Sequence, residues 1–328
     1  MALIGHNTTK KRIAQALASA KVRNEALPHM LFSGHPGCGK TSMAKEVAKL
    51  TGADFIPVVP ETLKDLNTIK GLIESLNYDG YNSRGDRVGE IKPSIVFIDE
   101  VHNLPLFGQE KLGIVMENFL METGKPNKYY WIPYFTIIGA TTIAGELSRP
   151  FLNRFKLEFL FKPYTFKESV EIVNYHANQQ KLLVSPLAAE DIARRGRGVP
   201  RVLVRYLENC RDTAIFNKEP YISEKTTEAT FEELGIDATG LNKTELIILK
   251  TLYNAERPVG LETLSIISGE SAKTIKNELE PYLMQQGYML RSGTGRLITR
   301  EGRLYLEDAG YEGNQAGRLQ ISADYVRR

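Results

Sequence analysis

A glycine-rich loop holds the residues of this chain that could most directly do chemistry. It follows an apolar run and fits the pattern G-x-x-x-x-G-K-[ST], with Gly34 at its start and Gly39, Lys40 and Thr41 at its end. Glycines let the backbone curl until successive N–H groups point at phosphate oxygens, and the helix that follows adds the positive end of its dipole. The loop therefore predicts a binding site for a nucleoside triphosphate.

Two side chains of this loop have specific predicted tasks. Lys40 can reach the β- and γ-phosphates, and the Thr41 hydroxyl can hold Mg²⁺. A glycine-rich turn that binds nothing is the alternative, but the amphipathic segment after the loop favours a phosphate site. The loop residues that we expect to contact ATP are Gly34, Pro36, Gly37, Cys38, Gly39, Lys40, Thr41 and Ser42.

A pair of carboxylates forms the second half of the predicted site. Residues 94–98 are a continuous apolar run, as expected of a central strand buried on both faces, and Asp99 and Glu100 follow it. A carboxylate at the end of such a strand can bind the Mg²⁺ shell, and its neighbour can orient and deprotonate the attacking water. We assign Asp99 to the metal and Glu100 to the base.

Hydroxyl groups follow another buried strand. Residues 135–142 are apolar and end in Thr141 and Thr142, which would lie near the γ-phosphate if this strand runs between the other two. The alternative is that threonine is simply at home in strands.

The elements that must position these residues alternate along the chain. Helical periodicity covers 1–27, 42–50 and 62–76, and short apolar runs cover 28–33 and 54–59. Strands that alternate with helices indicate a parallel sheet with helical crossovers. The fold class predicted for this part of the chain is therefore α/β.

Composition limits the other possibilities. The chain has 328 residues, enough for two or three domains, and its net charge of +3 is too small to argue for nucleic acid by itself. Cys38 and Cys210 are its only cysteines, so the sequence offers neither a disulfide framework nor a zinc set. With no signal-peptide pattern and no apolar run of membrane-spanning length, the sequence predicts a cytosolic, cytoplasmic protein.

Seven stretches together resemble the AAA+ ATPases and, among them, the RuvB family of Holliday-junction branch-migration motors. They include Ile-Asp-Glu-Val-His at 98–102, Gly-Ala-Thr-Thr at the end of 135–142, and Arg-Gly-Val-Pro-Arg at 197–201. The others are 150–155, 234–237, 258–261 and 280–287. The resemblance covers nearly the whole chain, and a generic P-loop protein would not share the last three stretches.

The resemblance implies roles for several residues. Thr142 would sense the γ-phosphate, and Arg154, with Arg149 as its rival, would be the arginine finger that reaches the nucleotide of a neighbouring subunit. Arg201 would contact nucleotide from the lid, and Ile4 would lie at the nucleotide base. A finger that acts on a neighbour implies a ring, which in this family is a homo-hexamer. For each arginine the alternative is a salt bridge at the surface or between domains.

Three domains are expected: an AAA+ domain over 1–162, an all-α lid over 163–236 and a winged-helix domain over 237–328. The recognition-helix position carries Lys273 and Lys276 but also Glu278 and Glu280, which makes a poor surface for phosphates. A better DNA candidate is the hairpin around 292–295, with the following three arginines: Arg291, Arg296 and Arg300. A solvated turn or a protein-binding winged helix are the alternatives.

Three departures from the family pattern carry expectations of their own. The chain begins almost at Ile4, without the preceding segment that helps bracket the adenine, and 77–93 is a longer loop that either is only surface or faces DNA or a partner through Arg84, Arg87 and Lys92. The segment 118–134, where the family docks its junction-binding partner RuvA, is shorter and aromatic. Its aromatic residues would form a contact surface if exposed and sheet-edge packing if buried, and its length argues against a RuvA-like partner.

The leading functional hypothesis is an ATP-driven hexameric motor that moves duplex DNA at branched junctions. One alternative is an AAA+ loader or remodeller that places another protein on DNA. Another is a DNA-binding regulator gated by nucleotide.

Overall fold

The structure is a computed structural model that describes residues 3–23, 25–79, 93–122, 129–255 and 257–313. Its contacts divide the chain into two compact units, 1–222 and 223–328. The three-domain division at 162 and 236 stays a prediction. None of the helices in the described ranges is long and apolar enough to cross a membrane.

A five-stranded parallel sheet forms the centre of the first unit. The strands of this unit are β1 (Met30–Gly34), β2 (Asp54–Val58), β3 (Ser94–Ile98), β4 (Leu120–Glu122), β5 (Tyr129–Trp131), β6 (Phe135–Thr141) and β7 (Leu157–Phe161). The sheet has the order β2-β3-β6-β1-β7, whereas β4 and β5 form a separate antiparallel pair. The α/β prediction is confirmed.

Helices cover both faces of this sheet, which explains the apolar run in β3. The helices of the unit are α1 (Asn7–Arg23), α2 (Lys40–Thr51), α3 (Leu66–Glu74), α4 (Leu106–Asn118), α5 (Arg149–Leu152), α6 (Phe166–Gln179), α7 (Pro186–Arg195) and α8 (Pro200–Phe216). Val96 and Ile98 belong to one buried cluster, and Ile95 and Phe97 belong to the other. Successive side chains of a strand point to opposite faces, so a strand covered on both sides must be apolar throughout.

The order of the strands brings the predicted catalytic ends together. β6 lies between β1 and β3, with Ser33 in register with Thr141 and Ile98 in register with Gly139. Because parallel strands end at the same edge of a sheet, the phosphate loop, the Asp-Glu pair and the two threonines all follow strands that end there.

The second unit contains helices and one β-hairpin. Its elements are α9 (Glu224–Leu234), α10 (Lys243–Asn254), α11 (Leu261–Ser268), α12 (Ala272–Thr274), α13 (Glu280–Gln285), β8 (Met289–Arg291), β9 (Arg296–Ile298) and α14 (Arg300–Asp308). A π-helical turn over Ile275–Leu279 joins α12 to α13. Pro281 has no N–H to donate to the preceding turn and its ring crowds that turn, so the helix widens just before it.

The two segments that depart from the family pattern are only partly described. Residues 80–92, with Arg84, Arg87 and Lys92, lie outside the described residues, as do residues 123–128, which follow β4 in the sequence. The aromatic side chains of the β4–β5 region divide between the two expectations. Tyr129 and Tyr134 are exposed, whereas Tyr130 packs on the core and Trp131 contacts Tyr78 edge to face.

Candidate nucleotide-hydrolysis site

The predicted phosphate loop joins β1 to α2. Gly39 precedes the helix with a φ of +92°, and none of the described side chains caps the first turn of α2. The N–H groups of that turn are therefore donors that a phosphate can use. Gly37 has a φ of +76°, and a methyl group there would lie 3.0 Å from Cβ of Arg201. Only glycine fits this position without strain.

Lys40 lies inside the loop. Its side chain is buried, and Nζ donates to the carbonyl oxygens of Gly34 at 2.7 Å and His35 at 3.0 Å. Burial lowers the pKa of Lys40, while the nearby carboxylates of Glu100 and Asp99 act in the opposite direction. The ammonium is thus held among acceptors that a phosphate can replace.

Thr41 and Asp99 form the predicted Mg²⁺ position. Thr41 Oγ1 lies 3.5 Å from Asp99 Oδ2, although the two residues belong to different elements. The other carboxylate oxygen of Asp99 accepts from the backbone N–H of Glu100 at 3.1 Å. One hydroxyl and one carboxylate are hard oxygen donors of the kind Mg²⁺ takes beside phosphates, so the residues fit this ion.

Glu100 reaches from the end of β3 to the end of β6. Its backbone is left-handed, with a φ of +46°, which is uncommon outside glycine and costs free energy. Its Oε2 accepts from the backbone N–H of Thr142 at 3.3 Å and from the Thr142 hydroxyl at 3.2 Å. His102 Nδ1 lies 3.3 Å from the same oxygen. The structure therefore brings the predicted base and the predicted γ-phosphate sensor together.

Arg154 follows α5 and lies on α4. Its Nη2 forms an ion pair with Glu117 Oε2 at 2.7 Å, and its Cγ and Nε lie against Gly113. Nε is buried and has no hydrogen-bond partner among the described residues. The rival Arg149 is exposed in the first turn of α5. The structure therefore shows a salt bridge of Arg154, and its role as an arginine finger stays a prediction.

Arg201 lies close to the phosphate loop, and its contact with nucleotide stays a prediction. It belongs to the first turn of α8, is exposed, and approaches Gly37 closely. Burial is the main cause of the lowered pKa of Lys40, and the positive charge of Arg201 acts in the same direction. A cation here can contact a nucleotide held by the loop.

Sequence reasoning missed two aromatic residues beside the loop. His6 Nε2 lies 3.0 Å from the carbonyl oxygen of Cys38, and its ring contacts Tyr164 and Phe161 with centroids 4.5 Å and 4.7 Å apart. A methyl group at Gly39 would lie 3.0 Å from the hydroxyl of Tyr164. No pattern marks Tyr164, because it reaches the loop from a distant part of the chain. Ile4, two positions before His6 in the sequence, is half-buried.

Two arginines of the β8–β9 hairpin, Arg291 and Arg296, share one partner. We call them the wing arginines. Glu280 is 1% exposed and accepts from Arg296 Nε at 2.6 Å and from Arg291 Nη2 at 2.9 Å. Glu280 is therefore not part of the exposed recognition-helix surface, because its carboxylate is buried and paired with these two arginines. Arg296 is 11% exposed and Arg291 is 42% exposed, whereas Arg300 is exposed on α14. DNA contact by these three residues stays a prediction.

A phosphate loop, an acidic strand end, a threonine-tipped strand between them and a helix-borne arginine define a P-loop ATPase of the AAA+ class. Three family models match the chain: "Holliday junction DNA helicase RuvB P-loop domain" at residues 1–160, "RuvB AAA lid domain" at 164–237 and "RuvB C-terminal winged helix domain" at 238–307. The chain belongs to the RuvB family.

Individual relatives support this assignment over nearly the whole length. The "Holliday junction branch migration complex subunit RuvB" of Lactobacillus helveticus is 34% identical over 312 residues, covering 92% of this chain and 86% of the relative. That of Pseudothermotoga lettingae is 34% identical over 325 residues, covering 96% and 90%. The solved structure of the "Thermotoga maritima RuvB Holliday junction branch migration motor" is 33% identical, with a TM-score of 0.77 and coverage of 93% and 95%.

Proposed function

We propose that this protein is an ATP-driven motor that moves DNA to drive branch migration at Holliday junctions. The observation that carries the proposal is the pairing of Thr41 with Asp99 and of Glu100 with Thr142 at one edge of the sheet. The relatives named above are subunits of a branch migration complex or are called branch migration motors, which favours this function over a loader or a gated regulator.

The residues divide the work of hydrolysis. Lys40 and the N–H groups of the loop bind the phosphates, and Thr41 with Asp99 would hold Mg²⁺, which when bound offsets phosphate charge. Glu100 orients the attacking water and accepts its proton. Thr142 donates to the γ-phosphate, and Arg201 contacts the nucleotide from α8. Release of the nucleotide would therefore remove a contact of α8.

The proposal includes an assembly of identical subunits. Arg154 would leave Glu117 and reach the nucleotide of the next subunit, where its guanidinium would meet transition-state charge. A homo-hexameric ring is the form that the family resemblance implies. Branched or duplex DNA is the proposed substrate, and a cytoplasmic location stays a prediction.

A junction-binding partner is a separate part of the proposal. The names of the relatives describe a complex, which supports a RuvA-like partner despite the short 118–134 segment. The exposed Tyr129 at the start of β5 and the half-buried Trp131 at its end would be the first residues to examine for such a contact.

The test mixes purified protein and Mg-ATP with a synthetic four-way junction and follows its conversion to duplex arms. Lys40→Ala should abolish conversion and ATP binding, whereas Lys45→Ala, an exposed lysine on the same helix, should change neither. Conversion by the wild type alone would establish a motor that needs no partner. ATP hydrolysis without conversion, even after a RuvA protein is added, would contradict the motor.

A further inference from the structure

We propose that His102 is a positioning residue for ATP hydrolysis, which holds one oxygen of the Glu100 carboxylate while the other faces water. The inference rests on the proposed hydrolysis site and deepens it. His102 belongs to the 3₁₀ turn over Val101–Asn103, directly after the acidic pair, and its side chain is 13% exposed. Neither the phosphate-loop motif nor the Asp-Glu pair assigns a role to His102.

Two donors of Thr142 and the Nδ1 atom of His102 lie near the same oxygen of Glu100. Oε2 lies within 3.3 Å of the Thr142 N–H, the Thr142 hydroxyl and His102 Nδ1. An ionised carboxylate can only accept, so the contact with His102 requires a proton on Nδ1. Because Oε2 is occupied, Oε1 is the oxygen that can take the proton of the attacking water.

The ring of His102 is itself held from β6. Its Nδ1 lies 3.0 Å from Oγ1 of Thr141, whose side chain is buried. The same hydroxyl oxygen accepts from the backbone N–H of Ile143 at 3.0 Å. A single Nδ1 proton can thus lie between Thr141 and Glu100, which fixes the ring plane relative to both strand ends.

The turn that carries His102 has little freedom to move. Val101 is fully buried, and a methyl group at Gly139 on β6 would lie 3.2 Å from its Cγ1. The left-handed backbone of Glu100 and the hydrogen bond from Asn103 N–H to the Glu100 carbonyl, at 2.8 Å, set the start of the turn. The backbone is therefore fixed, but the Glu100 carboxylate lies several rotatable bonds away and still needs a donor to orient it.

Thr142 cannot supply that orientation throughout the reaction. Its hydroxyl has one proton, which can go either to Glu100 or to a γ-phosphate. When the phosphate takes it, the donors left on Oε2 are the Thr142 N–H and His102. His102 is then the one side chain among those described around Glu100 that keeps the carboxylate in place.

The experiment compares three substitutions of His102 in the full chain. Asparagine places its amide nitrogen at the δ position, where it can replace Nδ1, whereas glutamine places it one bond further and alanine removes it. We expect His102→Ala and His102→Gln to lower kcat for ATP by about 10-fold to 100-fold, with KM unchanged, because a misplaced base costs rate and not binding. His102→Asn should recover most of the rate.

A double substitution shows whether His102 acts through Glu100. On the residual rate of Glu100→Gln, the change His102→Ala should have no further effect, since the group that it positions is no longer a base. An undiminished effect of His102→Ala in this background would overturn the inference. Unchanged kcat in His102→Ala, equal rates for Asn and Gln, or a parallel rise in KM and loss of thermal stability would also overturn it.

These outcomes are distinct from failure of the proposed function. If wild type does not hydrolyse ATP, or if Glu100→Gln hydrolyses it normally, the proposed hydrolysis site is wrong and this inference falls with it. If wild type hydrolyses ATP and Glu100→Gln does not, a normal rate in His102→Ala rejects the role of His102 alone.

Discussion

Two arginines, one in each unit, show how the same side chain can serve chemistry or structure. Arg154 in the first unit forms one ion pair, with an exposed Glu117, and keeps a buried Nε without a partner among the described residues. Arg296 in the second unit is 11% exposed and directs its guanidinium at Glu280, which is 1% exposed. The acid that pairs with Arg154 is exposed, whereas the acid that pairs with Arg296 is buried.

The difference lies in the acid and not in the arginine. An ion pair with an exposed carboxylate contributes little free energy, so breaking it costs little. A buried carboxylate depends on its partners, because an unpaired charge away from water is strongly destabilising. We infer that the burial of the acid beside an arginine indicates whether that arginine is free to act on another molecule.

Arg154→Ala should produce the largest effect. Loss of an arginine finger lowers ATP turnover by on the order of 1,000-fold, with little change in ATP affinity, because the contact forms at the transition state. Turnover and binding of a fluorescent ATP analogue would be measured together. Arg149→Ala, the exposed neighbour on the same turn, is the matched control, and a loss of turnover in that variant alone would reverse the assignment.

Mixing variants tests whether the finger acts between subunits. Arg154→Ala lacks the finger but has an intact phosphate loop, whereas Lys40→Ala has the finger but an impaired loop. Neither protein alone should hydrolyse ATP, but a mixture should, wherever the second subunit presents Arg154 to the first. A mixture that stays inactive although the subunits assemble would argue against a finger in trans.

Glu280→Gln should have the next largest effect, on stability. The amide keeps the shape of the carboxylate but leaves Arg296 buried beside a neutral group, which should cost about 3 kcal/mol in the free energy of unfolding. Urea unfolding of the full chain measures this, and ATP turnover should change little. Glu278→Gln, an exposed neighbour, should cost nothing measurable. Equal stability of the two variants would mean that Glu280 does not hold the wing arginines.

The local patterns of the sequence predicted much of the site and less of its surroundings. Lys40, Thr41, Asp99 and Glu100 were predictable because each follows a short apolar run in a recognisable order. His6 and Tyr164 were not, since they meet at Cys38 and Gly39 only after the chain has folded.

Glu280 was misjudged for a different reason. The π-helical turn over Ile275–Leu279 shifts the helical period, so that Ile275 and Glu280, five residues apart, are both buried. A period of 3.6 residues places them on different faces. A proline in the following turn is the one signal that could have warned of the shift.

His29 should make the free energy of unfolding depend on pH through a buried histidine, which only the first unit has. Its Nδ1 accepts from the Ile137 N–H at 2.8 Å and its Nε2 lies 3.1 Å from the Met116 carbonyl. Burial lowers the pKa of His29 to about 4. All five histidines lie within residues 1–222, so the second unit has no equivalent.

The sign of this effect is fixed by the direction of the pKa shift. The folded protein resists protonation of His29, so its contribution to stability is complete above the ordinary pKa of 6.5 and is lost as the pH falls from 6.5 to about 4. The full loss is about 3 kcal/mol. Urea unfolding at several pH values should show a steeper acid loss in wild type than in His29→Gln. Equal slopes would mean that His29 titrates normally in the folded state.

Arg300→Ala should have the smallest effect, and on DNA alone. Arg300 is exposed at the start of α14 and would contact phosphate as a point charge, so its loss should reduce the salt dependence of DNA binding by about one released counterion. Arg303 on the same helix donates to the Tyr253 carbonyl at 3.2 Å and is the matched control. Its replacement by alanine should lower stability and leave the salt dependence unchanged. If both variants change the salt dependence equally, an arginine that is hydrogen-bonded within the protein can bind DNA as well as an exposed one. The comparison between the two kinds of arginine would then fail.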